Sequence, residues 1–208
     1  MPVYKEYQLK HIHLLIWRLD PTDDLASLQD GLSKEDQNRL QKIKNPNKRL
    51  EFFSARAALY EILGYIPQLS YSAKGAPSID KYQGVSISHN KDYAAVIVSK
   101  KHKVGLDIEA FRPQMIRLQN RFLSEQERQS LEDENDLPRL CGYWCLKESF
   151  IKLLDAPELD LREQIRIAPF APAELVYGKA HILRGDQSKV YPWFLKMEKD
   201  FCLSFSMD

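Results

Sequence analysis

The stretch Val104-Gly105-Leu106-Asp107-Ile108-Glu109 constrains the fold of this chain more than any other. Its alternation is that of a β-strand: the pleat turns Asp107 and Glu109 to one face while Leu106 and Ile108 turn to the other. About forty residues on, Trp144-Cys145-Leu146-Lys147-Glu148-Ser149-Phe150-Ile151-Lys152 lacks Gly and Pro and reads as a helix. At about 3.6 residues per turn Trp144, Glu148 and Lys152 share one stripe, with Lys147 close beside it. A third carboxylate then sits between two ammonium groups. Hard oxygen donors of this kind suit Mg²⁺, with Mn²⁺ as a substitute, and the lysines are placed to neutralise a polyphosphate. The chemistry implied is transfer at phosphorus. Taken singly, a D-x-E strand is ordinary for a solvated face, and a K-E-x-x-x-K helix is ordinary surface charge worth about 0.2–0.5 kcal/mol per pair. Their combination is what points to a site.

At 208 residues and 44% hydrophobic content the chain has enough apolar surface for a real core, in one domain or two of about half its length. Thirty basic residues face 29 acidic ones, a net charge of +1, which does not advertise a bulk nucleic-acid binder. Cys141, Cys145 and Cys202 lack metal-site spacing and read as buried reduced thiols. The opening Met1-Pro2-Val3-Tyr4-Lys5-Glu6 has no basic-then-apolar pattern, and no apolar run is long enough to span a bilayer. A cytoplasmic protein without a membrane or nucleic-acid partner is the expectation.

Along the chain, His11–Trp17 reads as a first strand, and Ser33-Lys34-Glu35-Asp36 as the capped start of a helix to Leu40. Asn45-Pro46-Asn47 breaks the pattern before a helix from Lys48 to Leu63, closed by Gly64. Lys74-Gly75-Ala76-Pro77 is a turn. Gly84–Asn90, Tyr93–Ser99 and the Asp107 strand suggest a three-stranded antiparallel meander. Helices are expected at Gln114–Phe122, at Glu125–Glu132 with the box Ser124-Glu125-Gln126-Glu127, and around Trp144 after Pro138. Closing strands follow at Ala180–Leu183, Tyr191–Met197 and Phe201–Met207. Lys91-Asp92-Tyr93 is echoed by Lys199-Asp200-Phe201, each opening an apolar strand. This order predicts an α+β protein of two similar halves, residues 1–103 and 104–208, packed face to face.

The pairing of G-[IVL]-D-[IVL]-E with W-x-x-K-E-[SA]-x-x-K resembles the 4′-phosphopantetheinyl transferases, and the length resembles their surfactin-type branch of two-half monomers. The resemblance covers roughly residues 30 to 155, including the Ser86-Ile87-Ser88-His89 strand end, the Arg49 helix and Arg121-Phe122-Leu123-Ser124 with Glu127. It implies the pseudo-twofold transferase fold and a holo-acyl-carrier-protein-synthase type of reaction. In that reaction the phosphopantetheine arm of coenzyme A moves to a serine of an acyl or peptidyl carrier protein, with release of 3′,5′-ADP. Asp107, Glu109 and Glu148 would hold Mg²⁺, Glu148 would take the serine proton, and Lys152 would meet the pyrophosphate, with Lys147 supporting it or pairing with a carboxylate. His89, beside Ser88, would contact a coenzyme A phosphate. Arg39, Arg49 and Arg56 lie where the family supplies cations for the 3′-phosphate. The family often has G-K-P or G-R-P where this chain has Gly75-Ala76-Pro77, so Lys74 would replace the missing cation or the contact would be to backbone. Two other classes use the same residues. One is a Mg²⁺-dependent phosphodiesterase or nuclease, which should carry a basic surface; the other is an inactive coenzyme A binding module, which should have lost a carboxylate. No motif names the carrier.

Overall fold

The structure, a computed structural model, describes residues 3–22 and 26–208, so Met1 and Pro2 of the segment read as lacking a targeting signal lie outside the described residues. The backbone falls into two units, Met1–Val104 and Gly105–Asp208.

In the first unit, β1 (Val3–Leu9) and β2 (Ile12–Arg18) form a hairpin, and β2 pairs in turn with β6 (Tyr93–Ser99), which pairs with β5 (Gly84–His89). Every pairing in this four-stranded sheet is antiparallel. Between β2 and β5 come a 3-10 helix (Ala26–Gly31), α1 (Lys34–Lys42), α2 (Pro46–Leu63) and a two-stranded ribbon of β3 (Ser70–Tyr71) and β4 (Pro77–Ser78). The local chemistry accounts for the helix ends. Ser33 Oγ accepts the Asp36 N–H at 3.1 Å to start α1, and Asn45 accepts the Asn47 N–H at 2.9 Å to start α2 with Pro46 in its first turn. Gly64, at φ +73°, closes α2 in the left-handed conformation. Alternation along β2 and β6 turns Leu15, Trp17, Ala94, Val96 and Val98 to one face, where they pack with Ala55, Ala58 and Leu59 of α2. The alanines let helix and sheet approach closely, and full burial of a side chain such as Leu59 contributes about 1.5–3 kcal/mol.

The second unit is a five-stranded sheet in the order β7 (Val104–Ala110), β11 (Phe201–Met207), β10 (Gln187–Met197), β9 (Leu175–Arg184), β8 (Ile165–Ile167). Before β8 come α3 (Gln114–Phe122), α4 (Glu125–Gln129) and α5 (Leu137–Leu154). The expected capping box is present: Ser124 Oγ accepts the Glu127 N–H, and Glu127 Oε2 accepts the Ser124 N–H at 2.7 Å. α5 lays Leu140, Tyr143, Cys145, Leu146 and Phe150 against Ala180, Ile182, Trp193, Leu195 and Cys202 of the sheet. All three cysteines are free and buried. Burial pushes the Cys141 thiol up to about 12, which makes it inert at neutral pH.

The α+β class holds, and the three-stranded meander does not. β5 and β6 pair as expected, but β7 is hydrogen-bonded beside β11 in the other sheet. β1 was not anticipated because it alternates between half-buried and exposed, with Lys5, Glu6 and Gln8 among its apolar and aromatic residues, as an edge strand allows. The Lys-Asp-aromatic echo has a local structural counterpart. Asn90 N–H donates to Tyr93 O at 2.8 Å and Glu198 N–H to Phe201 O at 2.9 Å, and the carbonyls of Asp92 and Asp200 accept from Leu19 and Phe111.

Candidate active site

Gly105 lets β7 lie directly on α5. A Cβ at this position would stand 1.9 Å from the Ser149 carbonyl oxygen and 2.4 Å from the Leu153 nitrogen, both backbone atoms of α5. The close approach sets the carboxylates of β7 against the polar stripe of α5. Lys152 Nζ donates to Asp107 Oδ1 at 2.8 Å. Arg112 Nη2 donates to both carboxylate oxygens of Glu109 at 2.7 Å. Cys145 and Ser204 brace the same contact from the core side, the thiol donating to Asp107 O at 3.3 Å and the Ser204 hydroxyl to Cys145 O at 2.7 Å. Gly105→Ala is therefore expected to destabilise the protein by about 1–3 kcal/mol or more, because backbone cannot yield as a side chain can. Denaturant unfolding measures this, and an unchanged midpoint would contradict the packing.

Glu148 lies within electrostatic reach of both strand carboxylates. Burial pushes its carboxyl above the ordinary range, the charges of Asp107 and Glu109 push it the same way, and Lys152 opposes them. Glu109 is raised by burial and by Asp107, against Arg112. The Asp107 charge thus raises both glutamates, and the three carboxylates together form a pocket of excess negative charge. Their hard oxygens fit a divalent cation in donor type and charge. Among the described residues, no three His, Cys, Asp or Glu side chains already stand as a ligand cluster, and Lys152 and Arg112 engage two of the three carboxylates here.

Lys147 departs from expectation. Its side chain is 0% exposed, and its three N–H bonds go to Glu127 Oε2 at 2.7 Å, Leu161 O at 2.7 Å and Ile165 O at 2.8 Å. One residue along a helix is a rotation of about 100°, which carries Lys147 from the Glu148 stripe into the core. It therefore does not meet a pyrophosphate. Of the two alternatives read for it, pairing with a carboxylate is the one seen. Burial pulls its pKa down to about 8, with the Glu127 charge resisting. Glu127 in turn accepts from Ile167 N at 2.8 Å and Ser124 N at 2.7 Å, which leaves it no role as a base.

In the first unit the arginines are largely committed. Arg56 forks Asp36 at 2.6 and 3.0 Å in the interior and donates to the Tyr71 hydroxyl, so it is not offered to a phosphate as expected. The exposed Arg39 stacks on the Tyr71 ring, 3.4 Å from its centroid. Arg49, half-buried, donates to Leu40 O at 3.1 Å and Ile43 O at 3.4 Å, carbonyls left over at the end of α1. His89 stands exposed at the end of β5 with Nδ1 3.0 Å from Glu51 Oε2, which Lys48 also holds at 2.6 Å; Ser88 beside it is buried. The Lys74-Gly75-Ala76-Pro77 turn is organised by Ser72, whose Oγ accepts from the Lys74 and Ala76 N–H groups at 3.1 Å, and Gly75 takes φ +98°. Lys74 is exposed there. Asp36, Glu51, Tyr71 and Arg112 were not anticipated. Only Arg112 carried a sequence signal, three residues after Glu109.

Fold and site together define an α+β protein with a carboxylate-and-lysine centre suited to phosphate esters. Residues 103–205 match the model of the 4′-phosphopantetheinyl transferase superfamily. The chain is similar to the 4′-phosphopantetheinyl transferase HetI of Nostoc sp., 29% identical in an alignment of 185 residues that covers 79% of this chain and 77% of HetI. A putative 4′-phosphopantetheinyl transferase of Synechocystis sp. is 28% identical over 66% of this chain and 63% of its own length. The 4′-phosphopantetheinyl transferase AcpT of Salmonella typhimurium is 28% identical over 50% of this chain and 58% of its own. No helix among the described residues is long and apolar enough to cross a membrane.

Proposed function

We propose that the protein transfers the 4′-phosphopantetheine arm of coenzyme A to a serine of an acyl or peptidyl carrier protein and releases 3′,5′-ADP. The observation that carries this reading is the contact between β7 and α5, where the Asp107 charge raises the proton affinity of both Glu109 and Glu148 beside Lys152. Asp107, Glu109 and Glu148 would hold Mg²⁺, which when bound would neutralise the pyrophosphate. Glu148, a better base than an ordinary carboxylate because its pKa is raised, takes the proton from the serine hydroxyl. The serine oxygen forms a bond to the phosphorus that carries the pantetheine arm. The bond from that phosphorus to the bridging oxygen breaks, and 3′,5′-ADP leaves with its electron pair. Lys152 meets the pyrophosphate as a point charge. His89 with Ser88, Lys74 with Gly75 and Pro77, and Arg39 and Arg49 are the residues of the first unit proposed to bind coenzyme A. Residues 1–103 and 104–208 are proposed as the two halves of the enzyme, working as a monomer in the cytoplasm.

Chromatography of the small-molecule products tests the reading. With apo-carrier and Mg²⁺ present, each coenzyme A consumed should yield one 3′,5′-ADP, and excess chelator should stop the release. Undiminished turnover in chelator, or a different nucleotide product, would overturn it.

A further inference from the structure

One carboxylate of the first unit lies on the sheet-facing side of its helix. α2 turns Ala55, Ala58 and Leu59 to the sheet, and Glu51, one turn before Ala55, belongs to the same stripe. Its side chain is 6% exposed, and burying a carboxylate is costly unless cations and hydrogen bonds offset the lost water. Two cationic partners meet it on the same oxygen, Lys48 Nζ at 2.6 Å and His89 Nδ1 at 3.0 Å from Oε2. A lysine one turn away does not require burial. On α4 the similarly spaced pair of Arg128 and Glu125 leaves both side chains more than half exposed. The inward position of Glu51 brings it instead to the ring. His89 reaches it from the strand: alternation along β5 turns Val85 and Ile87 to the core under α2, and His89 ends the same row. The backbone there is well tied. His89 pairs with Ala94 of β6, and Asn90 Oδ1 closes the turn by accepting the Asp92 and Tyr93 N–H groups at 2.9 Å. The His89 side chain is 40% exposed, so the ring bridges a buried carboxylate and the surface. Other charges close by in the chain are engaged elsewhere: Arg49 is turned to the Leu40 and Ile43 carbonyls, and Lys91 and Asp92 stand 3.7 Å from each other.

We propose that Glu51 is the positioning residue for His89: it holds the proton on Nδ1, directs Nε2 to a phosphate of coenzyme A and keeps the ring an imidazolium while that phosphate is bound. The proposal rests on the transfer reading above, in which His89 contacts coenzyme A. Its basis is the number of donors the ring must supply. A neutral imidazole carries one N–H, and an ionised carboxylate only accepts. Glu51 therefore takes a proton at Nδ1, a phosphate oxygen takes one at Nε2, and only the cation can serve both. The two nitrogens flank one carbon of a rigid ring, so fixing the first fixes the direction of the second. A buried carboxylate is also screened far less than one in solvent, which makes its charge effective at the ring. Histidines that ligate metals are held by carboxylates in the same way, with the metal where the phosphate stands here.

The test is a double-mutant cycle read by calorimetry of coenzyme A binding, with the wild type, Glu51→Gln, His89→Ala and the double variant. The amide keeps the size of the side chain and one acceptor oxygen but loses the charge. Coenzyme A should bind Glu51→Gln about 10-fold more weakly, the low end of the range for histidines that lose their carboxylate partner. In the His89→Ala background the same change should have no further effect. In steady-state transfer the loss should appear in the KM for coenzyme A, with kcat unchanged at saturation. Nitrogen NMR of the His89 ring in the coenzyme A complex should show two protonated nitrogens in the wild type and one in Glu51→Gln. Undiminished binding by Glu51→Gln, or a singly protonated ring in the wild-type complex, would overturn the inference. An equal loss with and without His89 would overturn it too, since that is what a structural pair with Lys48 gives. If His89→Ala binds coenzyme A normally while the wild type transfers the arm, the inference fails and the transferase reading stands. A wild type that neither binds coenzyme A nor modifies any carrier defeats both.

Discussion

Glu148→Gln is expected to bind coenzyme A as the wild type does and to transfer its arm about 100-fold more slowly, or worse. The amide keeps the shape of the side chain and one ligand oxygen but loses charge and basicity, so the defect should fall on the chemical step. Single-turnover transfer beside calorimetry of coenzyme A binding separates the two, and a variant with near wild-type rate would remove Glu148 as the base. Lys152→Ala should show the opposite division, with weaker coenzyme A binding, because its charge engages phosphate before reaction. The raised carboxyl of Glu148 adds a stability signature of defined sign. A carboxyl whose pKa is higher in the folded than in the unfolded state favours folding while protonated and loses that contribution as pH rises through the folded value. Glu148→Gln should therefore melt above the metal-free wild type at neutral pH. The difference should vanish once pH has fallen below the ordinary carboxylate range. A variant that melts below the wild type at neutral pH would show that the glutamate is not strained by its neighbours.

Lys147→Ala is expected to cost about 3–5 kcal/mol of folding stability, the largest effect of any single change near the site. It leaves the Glu127 carboxylate 1% exposed without its cation, and takes donors from the Leu161 and Ile165 carbonyls. The residue sits next to Glu148 in sequence, and a direct contact with pyrophosphate would predict something else: normal stability and weakened coenzyme A binding. Denaturant unfolding with a coenzyme A titration of the folded fraction distinguishes them. Pairing Lys147→Met with Glu127→Gln removes both buried charges and keeps an acceptor for the Ser124 and Ile167 N–H groups, so it should recover part of the loss.

What the sequence made legible was governed by local rules. The alternation of 104–109 and the caps at Ser33, Ser124 and Gly64 depend on neighbours within a few residues, and each is found where those rules put it. The proximity of Asp107 to Lys152 could be expected from the motif pair, but the reason for it, backbone of β7 seated on backbone of α5, required the glycine contact to be seen. Side chains whose roles depend on distant partners are the ones the sequence leaves open or misplaces. The sequence allows Lys147 either a pyrophosphate or a carboxylate, and Glu127 twenty residues away, with the carbonyls of Leu161 and of Ile165 in β8, decides for the carboxylate. Arg56 looked like a surface cation on an amphipathic helix, and Asp36, twenty residues earlier, makes it an interior one. The misplaced meander has the same origin: alternation identifies a strand without naming its partner, and nothing in residues 104–110 says that the partner lies at 201–207.

The central claim is that this chain moves a phosphopantetheine arm from coenzyme A to a carrier serine through the Asp107, Glu109, Glu148 and Lys152 centre. The most direct measurement is the intact mass of a panel of apo-carriers after incubation with coenzyme A, Mg²⁺ and either the wild type or Asp107→Ala. The account predicts that at least one carrier gains the mass of one phosphopantetheine arm with the wild type and none gains it with Asp107→Ala, although that variant unfolds at a midpoint no lower than the wild type in the absence of metal. Carriers left at their apo mass by the wild type, or modified equally by the folded variant, would contradict it.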